Sequence, residues 1–146
     1  MARRPNTPRQ QEPAPLIDVC GRGRPVSAQT RNRAALRHWQ NRVRVECLAL
    51  WGHKAPILED VGIRVTHYCE SNIGDVDNLT KPIQDALQGF VYADDRQVSD
   101  IVANRRNIGG AFVVRIIPMQ VLAAFSDGRE FVHIRVWRSP KRENLG

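Results

Sequence analysis

Acidic residues are concentrated in the middle of the chain, between Asp75 and Asp100. This stretch of 26 residues contains six aspartates and no glutamate. An aspartate side chain is short and stiff, which suits a fixed cage of oxygen ligands around a hard divalent cation such as Mg²⁺. If the protein performs metal-dependent chemistry, this is the part of the sequence that carries it.

Two pairs of aspartates in this stretch are candidate metal ligands. Asp75 and Asp77 lie two residues apart at the end of a predicted strand, and alternate residues of extended backbone point to the same side. Their mutual repulsion in a cleft of low dielectric would be relieved by a bound divalent cation. Asp94 and Asp95 follow the next predicted helix, and a strand–helix–strand return can bring one or both of them beside the first pair.

Lys81 is the candidate cationic residue of the same site. It lies four positions after Asp77, about one helical turn, so its ammonium can face the same cleft and bind a phosphate oxygen. Several aspartates of this stretch also have purely structural interpretations. Asp77 can be a helix N-cap, Asp94 and Asp95 can be turn residues, and Asp85 can pair with Lys81 on a helix surface.

The elements that would position these residues are strands with intervening helices. Strand patterns occur at 15–21, 62–69, 97–108, 112–117 and 130–138, and helical patterns at 28–51, 78–88 and 118–125. Ser27 is the predicted N-cap of the first helix. We therefore expect an α/β (α+β) fold, a single mixed β-sheet flanked by helices, over residues 15–138. A disordered basic arm (1–14) and a polar tail (139–146) would flank it.

The overall charge favours an anionic partner. The net charge is +7 and the isoelectric point is about 10.2, and excess Lys and Arg raise affinity for polyanions. The arginines of the first helix are equally consistent with a solvated face and with phosphate contact. The absence of a GxxxxGK[ST] loop argues against an enzyme acting on small phosphorylated molecules.

The cysteines and the hydropathy pattern exclude other classes. Three widely spaced cysteines without a CxxC pair do not predict a disulfide framework or a zinc site. No apolar run approaches the roughly 20 residues that span a bilayer, and no apolar segment follows the basic N-terminus as in a secretory signal. We therefore expect a cytoplasmic protein.

The joined pattern D-x-D-N-L-x-K-x-x-x-D-A-L, a short loop with glycine, and D-D-x-Q-V resembles the signature of the RusA family of Holliday junction resolvases. It consists here of Asp75, Asp77, Asn78, Leu79, Lys81, Asp85, Ala86, Leu87, Gly89, Asp94, Asp95, Gln97 and Val98. The resemblance implies a homodimeric endodeoxyribonuclease that uses Mg²⁺ or Mn²⁺ to cut four-way DNA junctions during recombination and repair. It also implies that Asp75, Asp77 and Asp95 bind the metal and that Lys81 is the fourth catalytic residue. The competing hypotheses are a metal-dependent nuclease acting on other branched DNA and a non-catalytic junction-binding protein.

Overall fold

A computed structural model describes residues 13–70, 77–108, 121, 123–124 and 129–139. Its elements are β1 (Ile17–Arg22), α1 (Arg33–Trp51), β2 (Val61–Cys69), α2 (Asp77–Leu87), the short 3-10 helix η1 (Asp95–Gln97), β3 (Val98–Asn107) and β4 (Phe131–Arg138). The predicted strand at 112–117 and most of the predicted helix at 118–125 lie outside the described residues. Residues 1–12 and 140–146, which belong to the predicted arm and tail, also lie outside them.

The described strands form one mixed sheet in the order β1-β4-β2-β3. β4 pairs antiparallel with both β1 and β2, whereas β2 and β3 are parallel. Parallel neighbours need a crossover connection, and α2 lies in the crossover between β2 and β3. This confirms the predicted fold of a mixed sheet flanked by helices. The crossover also returns the chain after α2 to the edge of the sheet, and Asp94 and Asp95 are located there.

One hydrophobic core joins both helices to the sheet. α1 buries a single stripe with a spacing of four residues, and α2 buries Leu79, Ile83, Ala86 and Leu87. The stripe of α1 consists of Trp39, Val43, Cys47 and Trp51. Alternate residues of β2 and β4 pack into the same cluster. Because alternate residues of a strand share a face, the helices cover one face of the sheet.

The start of the first helix differs from the sequence prediction. Helix α1 begins at Arg33, with Asn32 as its N-cap, and not at residue 28 after Ser27. The Asn32 side chain accepts a hydrogen bond from Ala35 N at 3.0 Å. The Ser27 hydroxyl instead accepts from Gln29 N at 3.1 Å, and the Thr30 hydroxyl accepts from Asn32 N at 3.2 Å. These local side-chain bonds favour turns over helix in the intervening segment.

Gly62 allows a tryptophan to lie against the sheet. Gly62 and Trp137 are direct cross-strand neighbours on β2 and β4. A Cβ atom at position 62 would lie 2.3 Å from Trp137 Cε2, much closer than van der Waals contact. Trp137 is only 6% exposed. The glycine is therefore required by the packing of the indole ring.

Candidate active site

The first turn of α2 is attached to the segment that precedes α1. Pro82 lies inside α2 and has no N–H to donate to the carbonyl of Asn78. Ala28 N donates to that Asn78 carbonyl instead, at 2.9 Å. Gln40 Nε2, on α1, donates to the Pro82 carbonyl at 3.1 Å. Contacts from outside the helix therefore hold the turn that carries Asp77.

Lys81 joins two carboxylates from different parts of the chain. Its Nζ lies 2.9 Å from Asp95 Oδ2 and 3.1 Å from Asp85 Oδ1. The side chains are 54% exposed for Lys81, 45% for Asp85 and 38% for Asp95, so the cluster is open to solvent. The hydrogen bonds to Asp95 and then to Asp85 raise the pKa of Lys81. The lysine is therefore positively charged at neutral pH.

One contact of Lys81 agrees with the prediction of a shared site, and another agrees with the prediction of an ion pair on the helix surface. Lys81 contacts Asp95 across the crossover, as a shared site requires. It also pairs with Asp85 on the surface of α2, which is the structural role that the sequence suggests for Asp85. Asp77 is the first residue of α2, and the structure describes its backbone alone. Asp75 lies outside the described residues, so a metal site formed by Asp75, Asp77 and Asp95 remains a prediction.

Asp94 has a structural role in the loop that carries Asp95. Asp94 is the N-cap of η1, and its Oδ1 accepts a hydrogen bond from Arg96 N at 2.9 Å. Its Oδ2 accepts from Arg96 Nη2 at 3.2 Å. The backbone bond and then the side-chain bond from Arg96 lower the pKa of Asp94 to about 2. The carboxylate of Asp94 is thus bound to Arg96, and the carboxylate of its neighbour Asp95 contacts Lys81.

Gln97 completes the same turn and was assigned no role from the sequence. Its Oε1 accepts hydrogen bonds from Ala93 N and Asp94 N, both at 2.9 Å. Its Nε2 donates to the carbonyls of Ile57 and Glu59, at 2.7 and 2.9 Å. An aspartate followed three residues later by glutamine is the sequence pattern of a capping box. This pattern could have predicted the capping role of Gln97.

Two buried histidine–carboxylate pairs lie elsewhere on the sheet. His67 Nε2 is 2.5 Å from Glu130 Oε1, and His133 Nε2 is 2.6 Å from Asp18 Oδ1. Burial is the largest influence on His67 and lowers its pKa, although its bond to Glu130 opposes this. Arg105 and Arg24 lower it further. The second pair connects β1 to β4.

Among the residues that the structure describes, no group of three or more histidine, cysteine, aspartate or glutamate side chains is arranged to hold a metal ion. The predicted group of three carboxylates includes Asp75, which is not among them. The same part of the chain contains no helix that is long and apolar enough to cross a membrane.

The fold and the lysine–carboxylate cluster agree with the comparison with known families. The cluster lies beside the helix that connects two parallel strands, and its carboxylates come from that helix and from the turn after it. The model of the family "Endodeoxyribonuclease RusA" matches residues 20–117, which is more than half of the chain and includes every predicted site residue. The chain belongs to the RusA family of Holliday junction resolvases. No curated protein was found to match it.

Proposed function

We propose that this protein is a Mg²⁺-dependent endodeoxyribonuclease that resolves four-way DNA junctions by paired, symmetric nicks in recombination and repair. Family membership supports the nuclease activity. The observation that carries the proposal is the contact of 2.9 Å between Lys81 Nζ and Asp95 Oδ2. It joins the two halves of the family motif across the crossover, one helical turn from Asp77.

The donor chemistry of the site fits a hard cation. Asp95 presents carboxylate oxygens beside α2, and Mg²⁺ prefers oxygen ligands and needs only a few carboxylates from a protein. Asp75, Asp77 and Asp95 would hold the ion, and Mn²⁺ would be accepted by the same oxygens. Such an ion supplies Lewis acidity at the scissile phosphate and lowers the pKa of a water molecule.

Lys81 is suited to bind the scissile phosphate. Its ammonium is charged at neutral pH, and about half of its side chain is exposed. An approaching phosphate oxygen can therefore contact Nζ without rearrangement of the core. A charged donor held at this place stabilises negative charge that develops on the phosphate in the transition state. Asp85 and Asp95 fix the direction of the ammonium before the substrate arrives.

A homodimer would explain symmetric cleavage. A four-way junction presents two equivalent strands, and a two-fold dimer presents two equivalent sites. The net charge of +7 favours binding of the phosphate backbone through counterion release. We propose that the preference for a junction arises from its shape and its backbone rather than from the reading of bases.

The test is cleavage of a synthetic four-way junction by the purified protein in Mg²⁺, with and without the substitution Asp77→Asn. We expect the variant to bind the junction as the wild type does and to cut it about 100-fold more slowly, because the loss of a metal ligand weakens the stabilisation of charge at the phosphate. Asp100→Asn is the matched control. Asp100 belongs to the same acidic stretch, but its carboxylate accepts hydrogen bonds from Ser99 and Ser139. Normal cleavage by Asp77→Asn would contradict the metal assignment.

Two further measurements separate the competing functions. Equal cleavage of flaps, forks and four-way junctions would identify a nuclease for branched DNA in general. Tight junction binding without cleavage in Mg²⁺ or Mn²⁺ would identify a non-catalytic binding protein.

Gel filtration under assay conditions should show a dimer, and a monomer that still makes paired nicks would contradict the symmetric mechanism.

A further inference from the structure

The side-chain amide of Gln97 makes hydrogen bonds in two directions. Its oxygen accepts from two adjacent backbone N–H groups in its own turn, those of Ala93 and Asp94. Its nitrogen donates to the carbonyls of Ile57 and Glu59, which lie 40 and 38 residues earlier in the chain. The acceptor half alone would complete the cap of η1. The donor half connects that turn to a distant segment, which capping does not require.

The segment that receives these hydrogen bonds is fixed to the core. Ile57 is 5% exposed and belongs to the main hydrophobic cluster. Its backbone N donates to the Val91 carbonyl at 2.8 Å, so the same residue contacts the loop after α2. The next residue of that loop, Tyr92, donates its hydroxyl proton to the Gln84 carbonyl of α2 at 2.6 Å. The loop is thus bonded to α2 and to the segment before β2.

We propose that Gln97 is a positioning residue for the metal site, because it sets the location of Asp95 relative to α2. Asp95 is two residues before Gln97 in the same short helix and contacts Lys81 at 2.9 Å. Without the two donor bonds, the turn would keep its internal cap but lose its direct attachment to Ile57 and Glu59. Asp95 would then move relative to Asp77 and Lys81. This inference rests on the proposed function, which makes Asp95 a metal ligand.

Two substitutions separate the halves of the amide. Gln97→Met keeps the approximate shape and removes all four hydrogen bonds. Gln97→Glu keeps an oxygen for the N–H groups of Ala93 and Asp94 but places a second oxygen against the two carbonyls, which it cannot satisfy. Its added negative charge would by itself strengthen cation binding, so any weakening must come from displaced geometry.

The experiment is a titration of the DNA-free protein with Mn²⁺, followed by electron paramagnetic resonance and repeated by calorimetry. We expect both variants to bind Mn²⁺ about 10- to 100-fold more weakly, the usual effect of losing a group that orients a metal ligand. The Mg²⁺ concentration for half-maximal junction cleavage should rise by a similar factor. Restored wild-type behaviour at high Mg²⁺ would show that the site still forms.

The control is Trp51→Phe, which removes a hydrogen bond of 3.0 Å from the indole N–H to the Lys54 carbonyl. This bond lies in the same connection between α1 and β2 but does not involve the turn of Asp95. Thermal unfolding of all variants shows whether stability losses are comparable. We expect the control to bind Mn²⁺ as the wild type does. Weaker binding by the control as well would show that general loosening of the connection is sufficient, and would overturn the specific role of Gln97.

Asp95→Asn distinguishes failure of this inference from failure of the proposed function. If Asp95→Asn binds Mn²⁺ as tightly as the wild type does, or if the wild type binds none, the proposed metal assignment fails. If Asp95→Asn loses Mn²⁺ binding while both Gln97 variants bind normally, only the positioning role is overturned. If Gln97→Met fails to fold, Gln97→Glu decides, because it retains the cap.

Discussion

Replacing Lys81 by methionine should separate the stability of the site from its activity. The substitution keeps the apolar stem and removes the ammonium that lies 2.9 Å from Asp95 and 3.1 Å from Asp85. All three side chains are more than one third exposed, and an exposed ion pair contributes between about 0 and 1 kcal/mol. For the two pairs together we therefore expect a loss of at most about 2 kcal/mol, which lowers the melting temperature by at most about 8 °C.

The same substitution should change metal affinity and turnover in opposite directions. Lys81 is a cation close to the Asp95 carboxylate, so its removal reduces competition for a divalent ion, and Mn²⁺ should bind more tightly. The rate should nevertheless fall about 100-fold, the usual effect of losing one donor that stabilises the transition state. A residue that served only to hold the site together would lower both quantities.

The assay combines single-turnover cleavage of a four-way junction with a Mn²⁺ titration of the DNA-free protein. Lys54→Met is the control, because Lys54 is also exposed but lies over the Trp51 ring, 5.5 Å from its centroid. It should change neither quantity. An unchanged cleavage rate in Lys81→Met would refute the catalytic role. A parallel loss of rate and metal affinity would show that Lys81 acts by holding the site together.

Two further predictions concern the scaffold. Gly62→Ala should destabilise the protein by about 1–3 kcal/mol in urea unfolding, because its Cβ meets the Trp137 ring, and the second substitution Trp137→Leu should recover part of this loss. Burial lowers the pKa of His67 below 6.5, so the unfolded chain takes up this proton first. The stability that neutral, buried His67 gives the folded protein is therefore fully present above pH 6.5 and is lost as the pH falls below that value. Unfolding free energies of His67→Leu should therefore depend less on pH between 7.5 and 5.5, and an unchanged dependence would refute this assignment.

The sequence predicted the sheet and the second helix well because burial imposes their periodicity. β2, α2 and β4 begin and end within one residue of the predicted positions. The first helix was predicted to begin five residues too early. Ser27 has the chemistry of an N-cap, but its hydroxyl accepts from Gln29 N in a turn. Asn32 has similar capping chemistry, and local pattern alone does not choose between the two.

Part of the candidate site could also be predicted. The proximity of Lys81 and Asp95 follows from their motif and from the crossover between parallel strands. The attachment of Gln97 to Ile57 and Glu59 could not be predicted, because its partners there are backbone carbonyls. Every residue has a carbonyl, so the identity of the side chain at positions 57 and 59 contains no record of the contact.

Helix α1 links the two halves of the candidate site although the motif lies outside it. The segment before α1 binds the first turn of α2, through Ala28 N and the Asn78 carbonyl that Pro82 leaves available. The segment after α1 binds the turn that carries Asp95, through the amide of Gln97. Between these ends, α1 packs on the core by a stripe of buried side chains and donates one hydrogen bond to α2. The separation of the two acidic segments therefore depends on a helix whose length and packing are fixed by the core. A cavity in the middle of this stripe, such as Val43→Ala would leave, should therefore disturb the site without removing any of its ligands.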